Sequence, residues 1–333
     1  MGQSKKFDFT RPTLIVGMGG TGLSCARYLK KNNCPFAFAD SREMPPQLEG
    51  IKKEFGSIDI LTGEFQYNEF NRYKQFLVSP GVTIRSQLFE SLKQQGCLII
   101  GDIELFAQVV DKPVIAITGS NGKSTVTTLV EKIALHCGIK AIAGGNLGIP
   151  ALDLLETNSD LYILELSSFQ LETTFSLHTL SATVLNVSED HMDRYDDIND
   201  YRYVKETIYQ NTEYAVINRD EQLVSKEVFN RGSIISFGSD EPENDDYGLC
   251  QKGMICQLNK GHQIIIKSDA IKLKGIYNYL NILAALALLE PLKLEEIRIV
   301  EAIKMYTGLP HRCEWVNVIN GVNYYNDSKG TNT

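Results

Sequence analysis

The sequence predicts an α/β protein made of two successive open, mainly parallel sheets, and three observations carry that expectation. Strand, glycine turn and helix follow one another in TLIV, GMGGTG and LSCARYLKK, and again in KPVIAIT, GSNGKST and VTTLVEKIALHCG. Apolar runs of strand length then alternate with helical ones through most of the chain. With 333 residues there is room for two or three domains at roughly 100 to 200 residues each.

The elements follow in order. After the first glycine turn and its amphipathic helix, PFAFAD reads as a second strand ending at Asp40. Further strands are expected at 76–79 and 98–100, with a helix over 86–95 between them, so a first domain spans residues 1–101. The second domain, 102–308, continues the alternation with strands at KAIAGGN, LYILELSS, SATVLNVS and EYAVINRD and a helix over 201–210. Between 233 and 274 the text becomes β-rich (IISFG, GMICQL, HQIIIK), and the long apolar helix YNYLNILAALALLEPL follows, broken by Pro291. Residues 309–333 hold two short strands and a polar loop, too little to bury a core alone. They are expected either to pack on the second domain or to open a third.

Composition narrows the function classes. Hydrophobic residues at 43% and charged ones at 22% exclude a disordered chain. The net charge of -8, from 41 acidic against 33 basic side chains, excludes a protein that tracks a nucleic-acid backbone, while a small phosphorylated ligand needs only a few amides and one lysine. Seven scattered cysteines with no C-x-x-C fit reduced thiols better than a disulfide framework. The apolar stretch from Leu14 to Val16 is far too short for a signal sequence or membrane span.

Gly17, Gly19 and Gly22 satisfy G-x-G-x-x-G between a strand and a helix, with an acidic residue, Asp40, about 20 positions on. Free amides at the helix start suit a diphosphate. The residues leave three readings open: NAD or FAD, another nucleoside diphosphate such as a UDP-sugar, or a turn that only lets the helix pack on the strand. The second loop, Thr118 to Thr125, is more specific because it joins a glycine turn, a lysine and hydroxyls at a helix start. Its amides would cradle β- and γ-phosphates, Lys123 would reach their oxygens and Ser124 would ligate Mg²⁺. Ile117 replaces the first glycine of the usual phosphate loop, so the loop is a shortened variant.

Other polar residues are less decisive by themselves. Glu165 ends the strand LYILE, either as a solvated strand end or as a ligand-facing carboxylate at the sheet's C-terminal edge. Ser188 to Asp193 sets His191 among carboxylates, either as an exposed polar loop or as a metal-binding one. Lys205, in YRYVKETIY, reads on residue type alone as a solvated helical charge.

Taken together, TGSNGKST, GGNLGIPAL, LELSSFQLE, NVSEDHMDRY, the lysine of YRYVKETIY, YNYLN, LPHRCE and NDSKGTN resemble the successive motifs of the Mur ligase family along the whole chain. LELSSFQLE, GDIELF and a short first domain with SPGV are most similar to the branch that adds D-glutamate. The resemblance implies a Rossmann-like UDP-binding first domain and a phosphate-loop ATP-binding central domain. It also implies a carboxy-terminal domain, binding D-glutamate, of which residues 309–333 are the start; the chain is expected to be truncated there, to bind the UDP-linked precursor and to form little amide product. The implied reaction is ATP-driven addition of D-glutamate to UDP-N-acetylmuramoyl-L-alanine through an acyl phosphate, in the bacterial cytoplasm, by a monomer with neither nucleic-acid nor membrane partner.

The resemblance also implies site residues. Gly119, Ser120, Asn121, Gly122, Lys123, Ser124 and Thr125 hold ATP, with Asn278 and Asn281 at adenine and Arg312, Asp327 and Lys329 at phosphate and ribose. Two Mg²⁺ ions are implied, one on Ser124 and Glu165 and one on His191 and a carbamylated Lys205; Lys123, Glu165, His191 and Lys205 form the catalytic set. Gly20, Thr21, Asp40, Ser41, Arg42, Ser79, Pro80, Gly81, Asn146, Ser167 and His191 serve the UDP-linked precursor. Gly330 stands where the family commonly has alanine, a change too small to affect nucleotide binding. The alternatives are a sister ligase adding another amino acid, a precursor-binding module without turnover, and a nicotinamide-dependent oxidoreductase resting on Gly17, Gly19 and Gly22 alone.

Overall fold

The computed structural model describes residues 6–221, 232–312, 314–319 and 322–329, and Cys313 and Gly330 lie outside them. The chain forms two compact units: residues up to 111 with 144–158 and 166–178, and the remainder. The linear split at residue 101 expected from the sequence therefore meets a first unit that also takes in two later segments, 144–158 and 166–178.

In the first unit the strands are β1 (Thr13–Val16), β2 (Phe36–Asp40), β3 (Ile60–Thr62), β4 (Gln75–Val78) and β5 (Leu98–Ile100). They form a parallel sheet in the order β3-β2-β1-β4-β5. Helices α1 (Gly20–Lys31), α2 (Leu48–Phe55), α3 (Tyr67–Phe70), α4 (Gln87–Gln94) and α5 (Asp102–Ala107) connect or follow them. Four-residue apolar strands buried throughout, such as β1, are what a sheet covered on both faces requires. One side of the core is aromatic, with Phe70, Phe76 and Phe89 fully enclosed. The helix expected over 86–95 is α4, with Ser86 just before it.

The second unit holds β6 (Val114–Thr118), α6 (Lys123–His136), β7 (Ala141–Gly145), β8 (Leu161–Glu165), β9 (Thr179–Val184) and β10 (Thr212–Asn218). The short helices α7 (Ala151–Leu154) and α8 (Ser168–Leu171), inserted between these strands, belong to the first unit, while α9 (Ile198–Glu206) belongs to the second. Beyond them come β11 (Ser233–Phe237), β12 (Tyr247–Lys252), β13 (Ile255–Lys260), β14 (Gln263–Lys267), α10 (Ile276–Leu289) and α11 (Glu296–Met305).

One nine-stranded sheet results, ordered β14-β13-β12-β11-β10-β9-β6-β8-β7. The β-rich stretch is thus an extension of the parallel sheet, whose last strands β12 to β14 pair antiparallel. Helix α10 is apolar on all sides and packs on α6, and every residue from Ile282 to Leu289 is buried, as an all-round hydrophobic helix must be. It ends at Leu289, before the turn that contains Pro291. Helix α9 starts three residues before the expected 201, because the Asp197 carboxylate accepts the Asn199 and Asp200 amides and caps it. The last strands, β15 (Glu314–Ile319) and β16 (Val322–Asn326), pair as an antiparallel hairpin. Among the described residues no helix is long and apolar enough to cross a membrane.

Candidate active site

In the second unit, β6 lies between β8 and β9, both parallel to it, and the turn from β6 to α6 therefore opens at the sheet's C-terminal edge between two neighbouring strand ends. Gly122 has φ +82, and a Cβ there would meet the Asn281 Oδ1 at 2.6 Å. Glycine takes this left-handed turn without strain, and a side chain at this position would have to displace the Asn281 amide of α10. The turn is held from the β9 side by Asn186, whose Oδ1 accepts the Asn121 amide (2.7 Å), whose Nδ2 donates to the Asn121 carbonyl (3.1 Å) and whose carbonyl accepts the Ser120 amide (2.9 Å). The Ser120 hydroxyl accepts from the Ser188 amide at 3.0 Å and donates to the Ser188 carbonyl at 3.1 Å.

Lys123 folds over its own loop, with Nζ donating to the Gly119 and Ser120 carbonyls at 2.8 and 2.9 Å. Burial lowers its pKa, the charges of Glu165 and Asp190 work to raise it, and that of Arg312 to lower it, with a net shift downward. Glu165, at the end of β8 and paired in register with Ile117, is 2% exposed, and Ser124, in the first turn of α6, is 7% exposed. A buried carboxylate, a hydroxyl and a lysine amine thus meet around the start of one helix.

The reading of Lys205 as a solvated charge is overturned: it is 1% exposed, its Nζ donates to the Gly119 carbonyl at 3.0 Å and it lies 4.5 Å from the centre of the Tyr201 ring. Burial, with the like charge of Lys123, pushes its pKa down to about 7. Helix α9 faces the loop, and position 205 is on its inner side. Tyr201, four residues earlier on the same face, brings its hydroxyl 3.5 Å from that of Ser120. Sequence reasoning passed over Tyr201 and Asn186, although the i, i+4 spacing to Lys205 marked the former.

His191 is exposed, 3.6 Å from the Asp190 carboxylate, and has φ +58, an uncommon backbone for a residue with a side chain. Asn278 and Asn281 lie in the first two turns of α10, and the Asn278 amide donates to the Lys274 carbonyl. Arg312 is close enough to Lys123 to influence its titration. Asp327 and Lys329 follow the hairpin, where the Lys329 amide donates to the His311 carbonyl.

The first unit carries a separate loop. Its strand order reverses between β1 and β4, the switch point of an open sheet, and the glycine loop after β1 and Ser79-Pro80-Gly81 after β4 flank it. Gly17 is required by its φ of +104 and by Ser79, whose Cβ and Oγ lie 2.7 Å from where a Cβ would stand. Asp40 is 2% exposed, and both its oxygens are occupied: Oδ2 by the Met18 amide and Arg42 Nη2, Oδ1 by the Arg42 amide and Nε, all at 2.7 to 3.0 Å. Burial works to raise the Asp40 pKa, but these donors hold it below the ordinary carboxylate value. Gly20 and Thr21 begin α1, and Ser41 lies between Asp40 and Arg42. Asn146 follows β7, and Ser167 caps α8; both belong to this unit.

A phosphate-loop-type turn on a mainly parallel sheet, preceded by an open α/β unit with its own glycine loop at the switch point, defines a class of two-unit α/β proteins. Residues 11–101 match the Mur ligase MurD-like N-terminal domain and residues 117–289 the Mur ligase middle domain. The chain belongs to the Mur ligase family. It is 45% identical over 321 residues to the UDP-N-acetylmuramoylalanine--D-glutamate ligase of Nitrosococcus oceani, covering 96% of this chain and 71% of that protein. The same-named protein of Pseudomonas aeruginosa is 42% identical over 96% of this chain and 71% of its own length. Among solved structures, the fold is similar to UDP-N-acetylmuramate:L-alanyl-gamma-D-glutamyl-meso-diaminopimelate ligase of Neisseria (TM-score 0.61, 15% identity, 90% of this chain and 99% of that one). It also resembles the UDP-N-acetylmuramate-alanine ligase of Thermotoga maritima (TM-score 0.56, 20% identity, 95% of this chain and 72% of that one).

Proposed function

We propose that the chain carries the nucleotide and precursor sites of an ATP-dependent ligase that adds D-glutamate to UDP-N-acetylmuramoyl-L-alanine in bacterial cell-wall synthesis. The observation that carries this reading is the convergence of Lys123, Glu165 and buried Lys205 on one phosphate loop, together with 45% identity to a ligase of that name. The loop amides and Lys123 bind the β- and γ-phosphates of ATP, and the α10 asparagines Asn278 and Asn281 face adenine. A precursor carboxylate oxygen bonds to the γ-phosphorus as the bond to ADP breaks. The amine nitrogen of D-glutamate then bonds to the acyl carbon and gives up a proton, and the acyl C–O bond breaks to release inorganic phosphate. Lys123 offsets the repulsion between carboxylate and phosphate.

The donors fit Mg²⁺. Ser124 and Glu165 are hard, buried oxygen ligands at the loop, and Mg²⁺ is usually held by one or two protein groups with phosphate oxygens and water. A second ion would rest on His191 and carbamylated Lys205. Bound Mg²⁺ supplies charge neutralisation at the transferring phosphoryl group.

A carbamate forms when a neutral amine nitrogen bonds to CO₂ carbon and loses a proton. With its pKa near 7, Lys205 becomes neutral as pH rises through that value, whereas an ordinary lysine stays charged to above 10. In ¹³C-bicarbonate, at constant dissolved CO₂, a carbamate carbonyl resonance is expected to grow from pH 6 to pH 8 and to vanish in Lys205→Met. A silent spectrum at pH 8 would exclude the modification.

The first unit is read as the UDP site. A carboxylate has about four acceptor positions, and those of Asp40 already hold four donors, leaving none for the paired ribose hydroxyls of NAD. Arg42, anchored by Asp40, is instead offered to an anionic ligand. Calorimetry should show binding of UDP-N-acetylmuramoyl-L-alanine and none of NAD; tight NAD binding would reverse the assignment.

A further inference from the structure

The phosphate loop is anchored on the segment that follows β9, and the anchor occupies hydrogen-bonding groups that a nucleotide would otherwise find open. Asn186 meets the backbone of Asn121 with both ends of its side-chain amide: Oδ1 accepts the Asn121 N–H at 2.7 Å, and Nδ2 donates to the Asn121 carbonyl at 3.1 Å. Chemistry fixes that orientation, because an N–H needs the oxygen end of the amide and a carbonyl needs the NH₂ end. The Asn186 carbonyl accepts the Ser120 N–H at 2.9 Å. Both backbone groups of Ser188 engage the Ser120 hydroxyl.

Asn186 is held in its turn by its neighbours. The amide of Leu185, the residue before it, donates to the Thr118 carbonyl at 2.9 Å. The Leu185 carbonyl accepts Nδ2 of Asn218, 7% exposed at the end of β10, at 2.8 Å. Loop and anchor approach closely, since a Cβ on Gly119 would stand 3.1 Å from that of Leu185. Two successive loop amides, those of Ser120 and Asn121, are therefore directed at the segment after β9. The amides of the first turn of α6 are placed differently. No side chain caps that helix, and Gly122, Lys123, Ser124 and Thr125 precede its first backbone bond, from the Val126 N–H to the Gly122 carbonyl.

We propose that Asn186 is a positioning residue for the nucleotide: by tying down Ser120 and Asn121 it withdraws their amides from the phosphates and leaves these to Lys123 and the amides of Gly122 to Thr125. The proposal deepens, and rests on, the reading of this loop as the ATP site. A loop ordered before the ligand arrives loses less conformational freedom on binding, so removal of the anchor weakens affinity without removing a contact to the nucleotide. The β- and γ-phosphates are thereby placed on the start of α6, where the helix dipole favours anions, and away from the flank that faces β9.

The test is nuclear magnetic resonance of the ¹⁵N-labelled chain with Mg²⁺ and a non-hydrolysable ATP analogue. An amide that donates to a phosphate carries a scalar coupling to ³¹P across the hydrogen bond. Couplings are expected within Gly122 to Thr125 and on neither Ser120 nor Asn121. By calorimetry, Asn186→Ala is expected to bind the analogue about tenfold more weakly, the effect of one hydrogen bond, and UDP unchanged. Its backbone carbonyl remains, so the Ser120 amide proton should keep its resonance position while that of Asn121 moves upfield. A side chain that only stabilised the fold would lower the melting midpoint and leave the affinity of the folded variant as it was. A ³¹P coupling on Ser120 or Asn121 in the unmodified chain, or an affinity of Asn186→Ala within about threefold of the original, would overturn the positioning role. Should Asn186→Ala not fold, the coupling pattern of the unmodified chain decides by itself. Failure of the unmodified chain to bind the analogue while it binds UDP would instead overturn the reading of the loop as the ATP site, and the role of Asn186 with it.

Discussion

Replacing Lys123 with methionine is expected to weaken ATP binding about 100-fold, as measured by calorimetry with Mg²⁺ present. The ammonium now donates to the Gly119 and Ser120 carbonyls and is positioned to turn from them to phosphate oxygens. Hydrogen bonds to charged groups contribute about 1.5–3 kcal/mol each, and loss of roughly 3 kcal/mol is about two decades in affinity. Methionine keeps the apolar stem, so UDP binding in the other unit should not change. The substitution also removes one of the two forces that lower the Lys205 pKa, leaving burial, the larger one, in place. Carbamylation should then need a slightly higher pH. ATP affinity within threefold of the unmodified chain would refute the assignment of this loop.

The second large effect is on stability. Glu104 in α5 has no exposed surface, and its carboxylate accepts the Phe175 and Ser176 amides at 2.7 and 2.8 Å, the Ser176 hydroxyl at 2.7 Å and Gln108 Nε2 at 2.9 Å. These bonds secure the 166–178 segment within the first unit. Glu104→Ala removes the acceptor of the part-buried Phe175 and Ser176 amides, at up to about 1–3 kcal/mol each, in addition to the cavity left by a fully enclosed side chain. The expected loss is about 3–5 kcal/mol, which calorimetric melting would register as a fall of roughly 10 °C in the midpoint of the transition. A loss under about 1 kcal/mol would mean that other contacts carry that segment. Because Ser167 and Gln170 belong to it, precursor binding should weaken as well.

Particular residues show how far the sequence could be read. The two glycine loops were legible because turn chemistry is local: a strand, a left-handed glycine and a helix start lie within ten residues of each other, as in Thr118 to Thr125. The strand alternation and the buried helix ending before Pro291 were legible for the same reason. The start of α9 was misjudged by three residues because a cap, Asp197, overrode the apolar pattern. Asp40 stood out by its spacing, but the pattern could not show that Arg42 and two backbone amides already fill it.

By itself the sequence determined the α/β class, the two loops, the motif set of the Mur ligase family and the identity of the candidate residues, since each of these depends on neighbours along the chain. Only the tertiary structure decided their condition. Lys205 is buried beneath the loop rather than solvated, and Glu104 is enclosed by donors from a segment about seventy residues away. Burial and the sum of nearby charges arise from contacts between distant parts of the chain, and these set the protonation state of an amine or a carboxyl.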